Sequence, residues 1–341
     1  MKYLFVLASI FLLCSMNIEA QKPSKNAKKL FNAAVDYIED GQDKQALVAL
    51  DEAISDSPKF ADAYLEKAKL LLKDKRTREA YEILDKAIEL NNELGEGLFY
   101  KGYISLNDSL YDSAIQYFTK AIQAGYNEPE VYYFRGLSNY HKQDFSNAIS
   151  NYSSAIDGEF DFFQAYHERA SAKLKSKDYQ GAVSDYNNAL QYDPNHALTY
   201  NNLGYAKMQM SDYQEAIEDF SECINNAPNY PNAYINRAIA KINLEKYEGA
   251  MTDLKKALKI SPESYDAYNN LGILYIKQGD YDKALETLNK AIDINKKRGG
   301  AYLNRGLAYE NKGDFEKACE DWKLAKDKGL EIADKFLQDC E

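Results

Sequence analysis

Apolar residues in this chain recur at helical spacing, in two short runs separated by a break, again and again. Between positions 265 and 298, Tyr268, Leu271, Gly272 and Tyr275 fall at i, i+3, i+4 and i+7, one stripe of an α-helix. Gly279 can then take the positive φ on which a helix stops, and Asp280 can cap the next helix. Tyr281, Ala284, Leu285, Leu288 and Ala291 form the buried stripe of that second helix. Pro58, Pro194, Pro228 and Pro262 follow the second helix of other segments, where a ring without an N–H ends regular structure. The pattern returns every 34 residues. Alanine stands at Ala46, Ala80, Ala114, Ala148, Ala182, Ala216, Ala250, Ala284 and Ala318. Seven residues after each comes Ala, replaced once by Cys223; twelve before each comes Ala or Gly, from Ala34 to Gly306. A fixed period without insertion predicts an all-α solenoid of helix pairs.

Two helices can approach closely only where side chains at the crossing are small. The small ladders therefore predict that Gly or Ala of each first helix faces Ala of the second, with larger residues in the flanking gaps. Tyrosine, 29 residues of 341, falls largely in this scheme. Tyr64, Tyr132, Tyr166, Tyr200, Tyr234, Tyr268 and Tyr302 share one register position, and Tyr111, Phe145, Tyr179, Tyr213, Tyr247, Tyr281 and Phe315 another. Both sets are expected to pack in the core with hydroxyls reaching its rim.

These segments resemble tetratricopeptide repeats, whose pattern has an aromatic at position 4, Leu-Gly at 7 and 8, and Tyr at 11. It continues with Ala at 20, an aromatic at 24, Ala at 27 and Pro at 32. The segment 197–230 carries Tyr200, Leu203, Gly204, Ala216, Phe220 and Pro228 at those places, and departs at Lys207 and Cys223. The resemblance covers about nine tenths of the chain. It implies a right-handed superhelical solenoid of nine repeats: 27–60, 61–94, 95–128, 129–162, 163–196, 197–230, 231–264, 265–298 and 299–332. Residues 333–341 place Phe336 and Cys340 at positions 4 and 8, and read as a helix capping the end of the stack.

Ahead of the first repeat, Lys2 precedes an apolar run from Tyr3 to Leu13, broken only by Ser9. The run is too short for a membrane span and suits a signal peptide, residues 1–20, with cleavage after Ala20 and a short linker at 21–26. The expected destination is the periplasm or the extracellular space. A lipoprotein with lipid on Cys14 is the less favoured alternative, since Leu13 before it is bulkier than the usual small residue. The net charge is −11, and removing Lys2 and Glu19 leaves it unchanged. With no basic run, nucleic acid and anionic membrane are not expected as partners, nor is membrane insertion after signal removal. Cys223 replaces an alanine and is expected to be a buried small hydrophobe. Cys319 and Cys340 could pair and tie the cap to the last repeat, although the repeats do not need it; the sequence leaves this open.

The resemblance implies binding on a concave face lined by first helices, at positions 2, 5, 6, 9, 12 and 13. Position 6 is Asn202, Asn236, Asn270 and Asn304 in four successive repeats, and a row of amides could hold an extended peptide by its backbone. Asparagine is also simply common there in such repeats, so the row has a plain consensus reading as well. Phe99, Tyr100, Tyr103, Tyr133, Phe134, Tyr140, His141 and His167 fall at groove positions further back. They are expected to face solvent as a pocket for apolar or aromatic side chains or a sugar ring; the alternative is that some pack between helices. His141 and His167 could approach each other, but without a third ligand no metal site is expected. Arg135, Arg169, Arg237 and Arg305 occupy position 7, with Asn151, Asp185, Asp253 and Asp321 sixteen residues later, which predicts a link between the two helices of a repeat.

The Lys and Asn pattern that captures chaperone C-termini in related repeats is missing, since position 9 is mostly apolar. No nucleophile–base pair, glycine-rich phosphate loop or metal spacing stands out, so neither catalysis nor a cofactor is expected. The favoured function is a non-catalytic scaffold that binds an extended segment of a protein partner and helps assemble an envelope or secretion complex. The alternatives are a carbohydrate- or small-ligand-binding module, and the substrate-recruiting subunit of a separate enzyme.

Overall fold

The computed structural model describes residues 22–338 and Cys340, so the expected signal peptide lies outside the described residues. The chain forms two compact units, one ending at Lys142 and one beginning at Gln143. The N-terminal unit holds α1 (Lys25–Glu39), α2 (Asp43–Asp56), α3 (Ala61–Lys73), α4 (Thr77–Leu90), α5 (Gly95–Asn107), α6 (Tyr111–Gln123) and α7 (Pro129–His141). The C-terminal unit holds α8 (Phe145–Asp157), α9 (Phe162–Lys175), α10 (Tyr179–Tyr192), α11 (Ala197–Gln209), α12 (Tyr213–Asn226) and α13 (Pro231–Asn243). It continues with α14 (Tyr247–Ile260), α15 (Tyr265–Lys277), α16 (Tyr281–Ile294), α17 (Gly300–Asn311), α18 (Phe315–Asp327) and the short α19 (Asp334–Leu337). The described residues are all-α. Within each unit every helix packs on the next, so helix pairs stack in tandem as the period predicts. In the C-terminal unit the first helices of successive repeats, α9, α11, α13, α15 and α17, also touch one another.

Local chemistry sets where each helix begins and ends. Ser24, Asp144, Asp161, Asp178, Ser264, Asp280 and Asp314 each accept the backbone N–H three residues on, which satisfies a donor with no partner inside the helix. The turn between the two helices of a repeat always uses a left-handed residue at position 15. Glycine fills it at Gly41, Gly279 and Gly313, but Lys75, Ser109, Lys177, Ser211 and Glu245 adopt the same positive φ. The turn geometry is therefore imposed by the helix pair rather than by glycine.

The packing adds to one expectation. The small residue at position 8 faces the bulky side chain at position 24 as well as the alanine ladder, since a Cβ added at Gly204 would also lie 3.1 Å from the carbonyl oxygen of Ala216. A Cβ added at Gly102 would lie 2.7 Å from the Phe118 ring, and one at Gly204 would lie 2.9 Å from Phe220. Gly306 meets the indole of Trp322 in the same way. The missing side chain on one helix makes room for the ring on the other, as dense core packing requires. The alanines of both other ladders are fully buried beside it.

At the C-terminal end, a 3₁₀ turn (Glu331–Ala333) leads into α19, which packs on α18. The Phe336 ring lies 5.3 Å from that of Trp322, Lys326 pairs with Asp334 at 2.6 Å, and Cys319 is disulfide-bonded to Cys340. The pairing that the sequence leaves open is thus made. Cys223 is free and buried, and burial pushes its thiol up to about 11.

Candidate functional site

The asparagine row lies in the C-terminal unit, on the first helices that touch in sequence. All four side chains are half-buried. Asn236 donates from Nδ2 to Oδ1 of Asn201 at 3.0 Å, and Asn304 donates to Asn269 at 2.9 Å. Both bonds join position 6 of one repeat to position 5 of the repeat before it. Asn270 has Ile235 at the equivalent acceptor position and turns instead to the carbonyl of Asp266, 2.8 Å away. Asn202 accepts from Asn201 at 3.3 Å. Each amide thus makes one such bond and keeps further donor or acceptor capacity among the described residues.

The aromatic set behaves differently from the expectation of a solvent-facing patch. Phe99 and Tyr133 are buried, 5% and 7% exposed. Phe99 lies 5.2 Å from Tyr100, 5.3 Å from Tyr126, 5.8 Å from Phe118 and 6.0 Å from Phe134, centroid to centroid. Phe134 in turn packs edge-on against Tyr103 and Tyr133 at 5.2 and 5.3 Å. Such spacing is that of core aromatics. Tyr100, Tyr103 and Phe134 are half-buried at the edge of this cluster, and burial raises the Tyr100 hydroxyl pKa. Tyr140 is half-buried beside His141, which is exposed and stacks on Tyr111 at 4.9 Å. The correction has a simple cause: in the repeats at 95–128 and 129–162, groove positions 5 and 6 turn partly toward the neighbouring first helix, α5 against α7.

His167 belongs to another arrangement, in the C-terminal unit. His196 caps α11, accepting the Thr199 N–H on Nδ1 at 3.3 Å. That nitrogen therefore bears no proton and also takes the Thr199 hydroxyl, 2.8 Å away. The hydroxyl oxygen is left to accept from Nδ1–H of His167 at 2.9 Å. Burial, followed by the nearby His196, pushes the His167 pKa down to about 4, so the ring is neutral at neutral pH. Glu168 beside it occupies position 6, and burial raises its pKa. Among the described residues no three His, Cys, Asp or Glu side chains are grouped to hold a metal ion.

Comparison with known proteins fits this geometry. Family models described as a tetratricopeptide repeat match residues 37–93 and 244–304, 101–161, 197–230 and 299–325, and one described as a TPR repeat matches 170–211. The chain belongs to the tetratricopeptide repeat family. Among solved structures it is similar to a tetratricopeptide repeat protein from Parabacteroides merdae, with 21% identity and a TM-score of 0.62 over 72% of this chain and 97% of that one. It is also similar to the Cut9–Hcn1 hetero-tetramer of the APC/C, with 17% identity and a TM-score of 0.52 over 78% of this chain and 52% of the other. MamA aligns at 29% identity over 51% of this chain and 94% of its own, with a TM-score of 0.42. No curated protein matches. Tetratricopeptide repeats are generally non-catalytic and bind protein partners. No helix among the described residues is long and apolar enough to cross a membrane.

The tetratricopeptide repeats are joined by a polar staple of which the sequence shows only half. Arg169, Arg237 and Arg305 each make a two-pronged ion pair with Asp185, Asp253 and Asp321 of their own repeat, at 2.6 to 2.9 Å. The remaining guanidinium nitrogen reaches sixteen residues back, to Ser153, Ser221 and Asn289 on the preceding repeat's second helix. Arg135 reaches Thr119 in the same way, Lys67 pairs with Asp51 at 2.5 Å, and the buried Lys101 pairs with Asp85. The backward partners share a fixed offset, visible in the sequence as a polar residue at position 25. Their mixed chemistry (Asp, Thr, Ser, Asn) conceals it.

Proposed function

We propose that this chain is a non-catalytic scaffold that holds an extended segment of a partner protein against the first helices of its C-terminal unit. The asparagine row carries the reading. Position 6 presents half-buried amides on four successive helices that touch, each with hydrogen-bonding capacity left over, and such a row matches the donors and acceptors of an extended backbone. Acting outside the cytoplasm, in assembly of an envelope or secretion complex, is part of the same proposal. It is supported by the apolar run after Lys2 and by the Cys319–Cys340 bridge, since disulfides persist in oxidising compartments. The carbohydrate alternative loses its basis where Phe99 and Tyr133 turn inward.

The test is crosslinking in the native compartment with identification of the captured segment, repeated with an Asn202→Ala, Asn270→Ala double variant. Among the described residues these two amides make no side-chain bond to a neighbouring repeat. Loss of two backbone-directed bonds predicts about tenfold weaker capture with little change in thermal stability. Full retention of capture by the variant would refute the proposed mode.

A further inference from the structure

Position 6 is not asparagine throughout the C-terminal unit. In the repeat at 163–196 it is Glu168, on α9, which touches the α11 helix that carries Asn202. The row in this unit therefore begins with a carboxylate and continues through four amides. Glu168 is half-buried and forms neither a hydrogen bond nor an ion pair among the described residues, and burial alone raises its pKa. The cations of α9 and α11 do not serve it. Arg169 is held by Asp185 and Ser153, Lys173 by Asp185 at 2.7 Å, and Lys207 by Asp219 at 2.7 Å. Lys175 is exposed, about 10 Å further along α9. A carboxylate so placed is costly to keep charged until an opposite charge meets it. Beside the row, α11 exposes Leu198 and Tyr205, 48% and 40%, one turn to either side of Asn202. Ile239 and Ile273 continue the register position of Tyr205 and are half-buried.

We propose that the segment held on the asparagine row is amphipathic, laying apolar side chains on Tyr205, Ile239 and Ile273 and pairing a lysine or arginine with Glu168. The inference rests on the peptide-binding reading of that row and adds the chemistry of its occupant. Neutral amides bond to the backbone of any sequence, so they hold a segment without choosing it. Glu168 does the choosing. A cation brought to it gains a charge-assisted hydrogen bond and relieves a carboxylate that the fold leaves without a partner. An acidic side chain at the same place would set two such carboxylates together and is rejected. Charge also fixes direction along the row, since the basic residue must lie at the α9 end.

Selection of random peptides displayed on phage, against the purified protein and against Glu168→Gln and Glu168→Lys, tests this. The wild type should enrich apolar peptides that carry lysine or arginine near one end. Glu168→Gln should keep the apolar pattern and lose the basic preference, and Glu168→Lys should enrich aspartate or glutamate instead. For one selected peptide, replacing its basic residue by norleucine should weaken binding about tenfold on the wild type and less than about twofold on Glu168→Gln. Glu168 gives the fold no ion pair, so Glu168→Gln should melt no lower than the wild type, which separates selectivity from folding. Selected peptides without a basic excess, or an excess that Glu168→Gln retains, would overturn the inference and leave the asparagine row standing as a binding site. Selection of no peptide by the wild type would bring down the peptide-binding reading itself, and this inference with it.

Discussion

Asp219 and His167 are buried titratable side chains that pull on stability in opposite directions across the same mildly acidic range. Asp219 stands at position 23 of a repeat whose position 7 is Leu203, so it lacks the arginine of its counterparts. Lys207 lies 2.7 Å from its Oδ2, yet that oxygen is without a well-aligned hydrogen bond, and burial raises the carboxyl pKa to about 6. Its folded pKa thus exceeds the ordinary 3.8, so its contribution is fully present below that value and is lost as pH rises through 6. His167 runs the other way. With a folded pKa near 4 against 6.5, it contributes fully above 6.5, and that contribution fades as pH falls toward 4. Asp219→Asn should therefore stabilise by about 1–2 kcal/mol at pH 7 and by almost nothing at pH 4. His167→Gln should flatten the acid-side loss, so that its difference from the wild type changes steadily between those limits. Denaturant midpoints at both pH values check this, and a pH-independent difference would refute it. Asp219 could be singled out in the sequence because a leucine faces it. His167 stands out as a groove residue, but its buried setting does not, because its partner Thr199 lies 32 residues on and only the fold brings the two together.

At the scale of a helix pair, the position-7 staple is the feature most open to test. Arg237→Leu leaves Asp253 buried with Lys241 alone, at 2.7 Å, and breaks the link to Ser221. Removing one partner of a buried pair costs several kcal/mol, and the remaining lysine should limit this to about 2 kcal/mol. The repeat at 265–298 shows the remedy, with Leu271 at position 7 and Thr287 at position 23. An Arg237→Leu, Asp253→Thr double variant should recover most of the loss, with partner capture unaffected by either change; thermal melts decide it. The turn offers a second test. Ser211 holds φ at 68°, so Ser211→Gly should stabilise by about 1 kcal/mol, as glycine carries no left-handed penalty. The elements themselves were legible, since apolar spacing marked every helix of the repeats. Turn geometry was not, because glycine advertises position 15 at Gly41, Gly279 and Gly313 only, and tertiary packing imposes it elsewhere. The aromatic groove residues misled for a related reason: register tells which position a side chain holds, but not that Phe99 finds four rings around it.

Across the molecule, a stack of like repeats makes its ends different from its middle, because a terminal repeat has a neighbour on one side only. The C-terminal end of the chain is clasped. The Cys319–Cys340 bridge closes a sequence separation of 21 residues, and a loop of that size restricts the unfolded chain by about 3 kcal/mol. Stability in such arrays sums over repeats and nearest-neighbour faces, so losing the clasp should be felt locally. Reduction by a dithiol, or Cys319→Ser with Cys340→Ser, should accelerate amide exchange in α17 and α18 while α11 and α12 exchange as before. Trp322 supplies a second readout: it is the single tryptophan, 2% exposed, with Phe336 of the cap against it. Release of α19 should shift its emission to the red. Cys223, buried at an alanine position with its thiol held protonated, should stay unreactive throughout, and Cys223→Ala should change stability by less than about 1 kcal/mol. Exchange that quickened uniformly along the chain, or an unmoved tryptophan spectrum, would mean that the bridge restrains something other than the end of the stack.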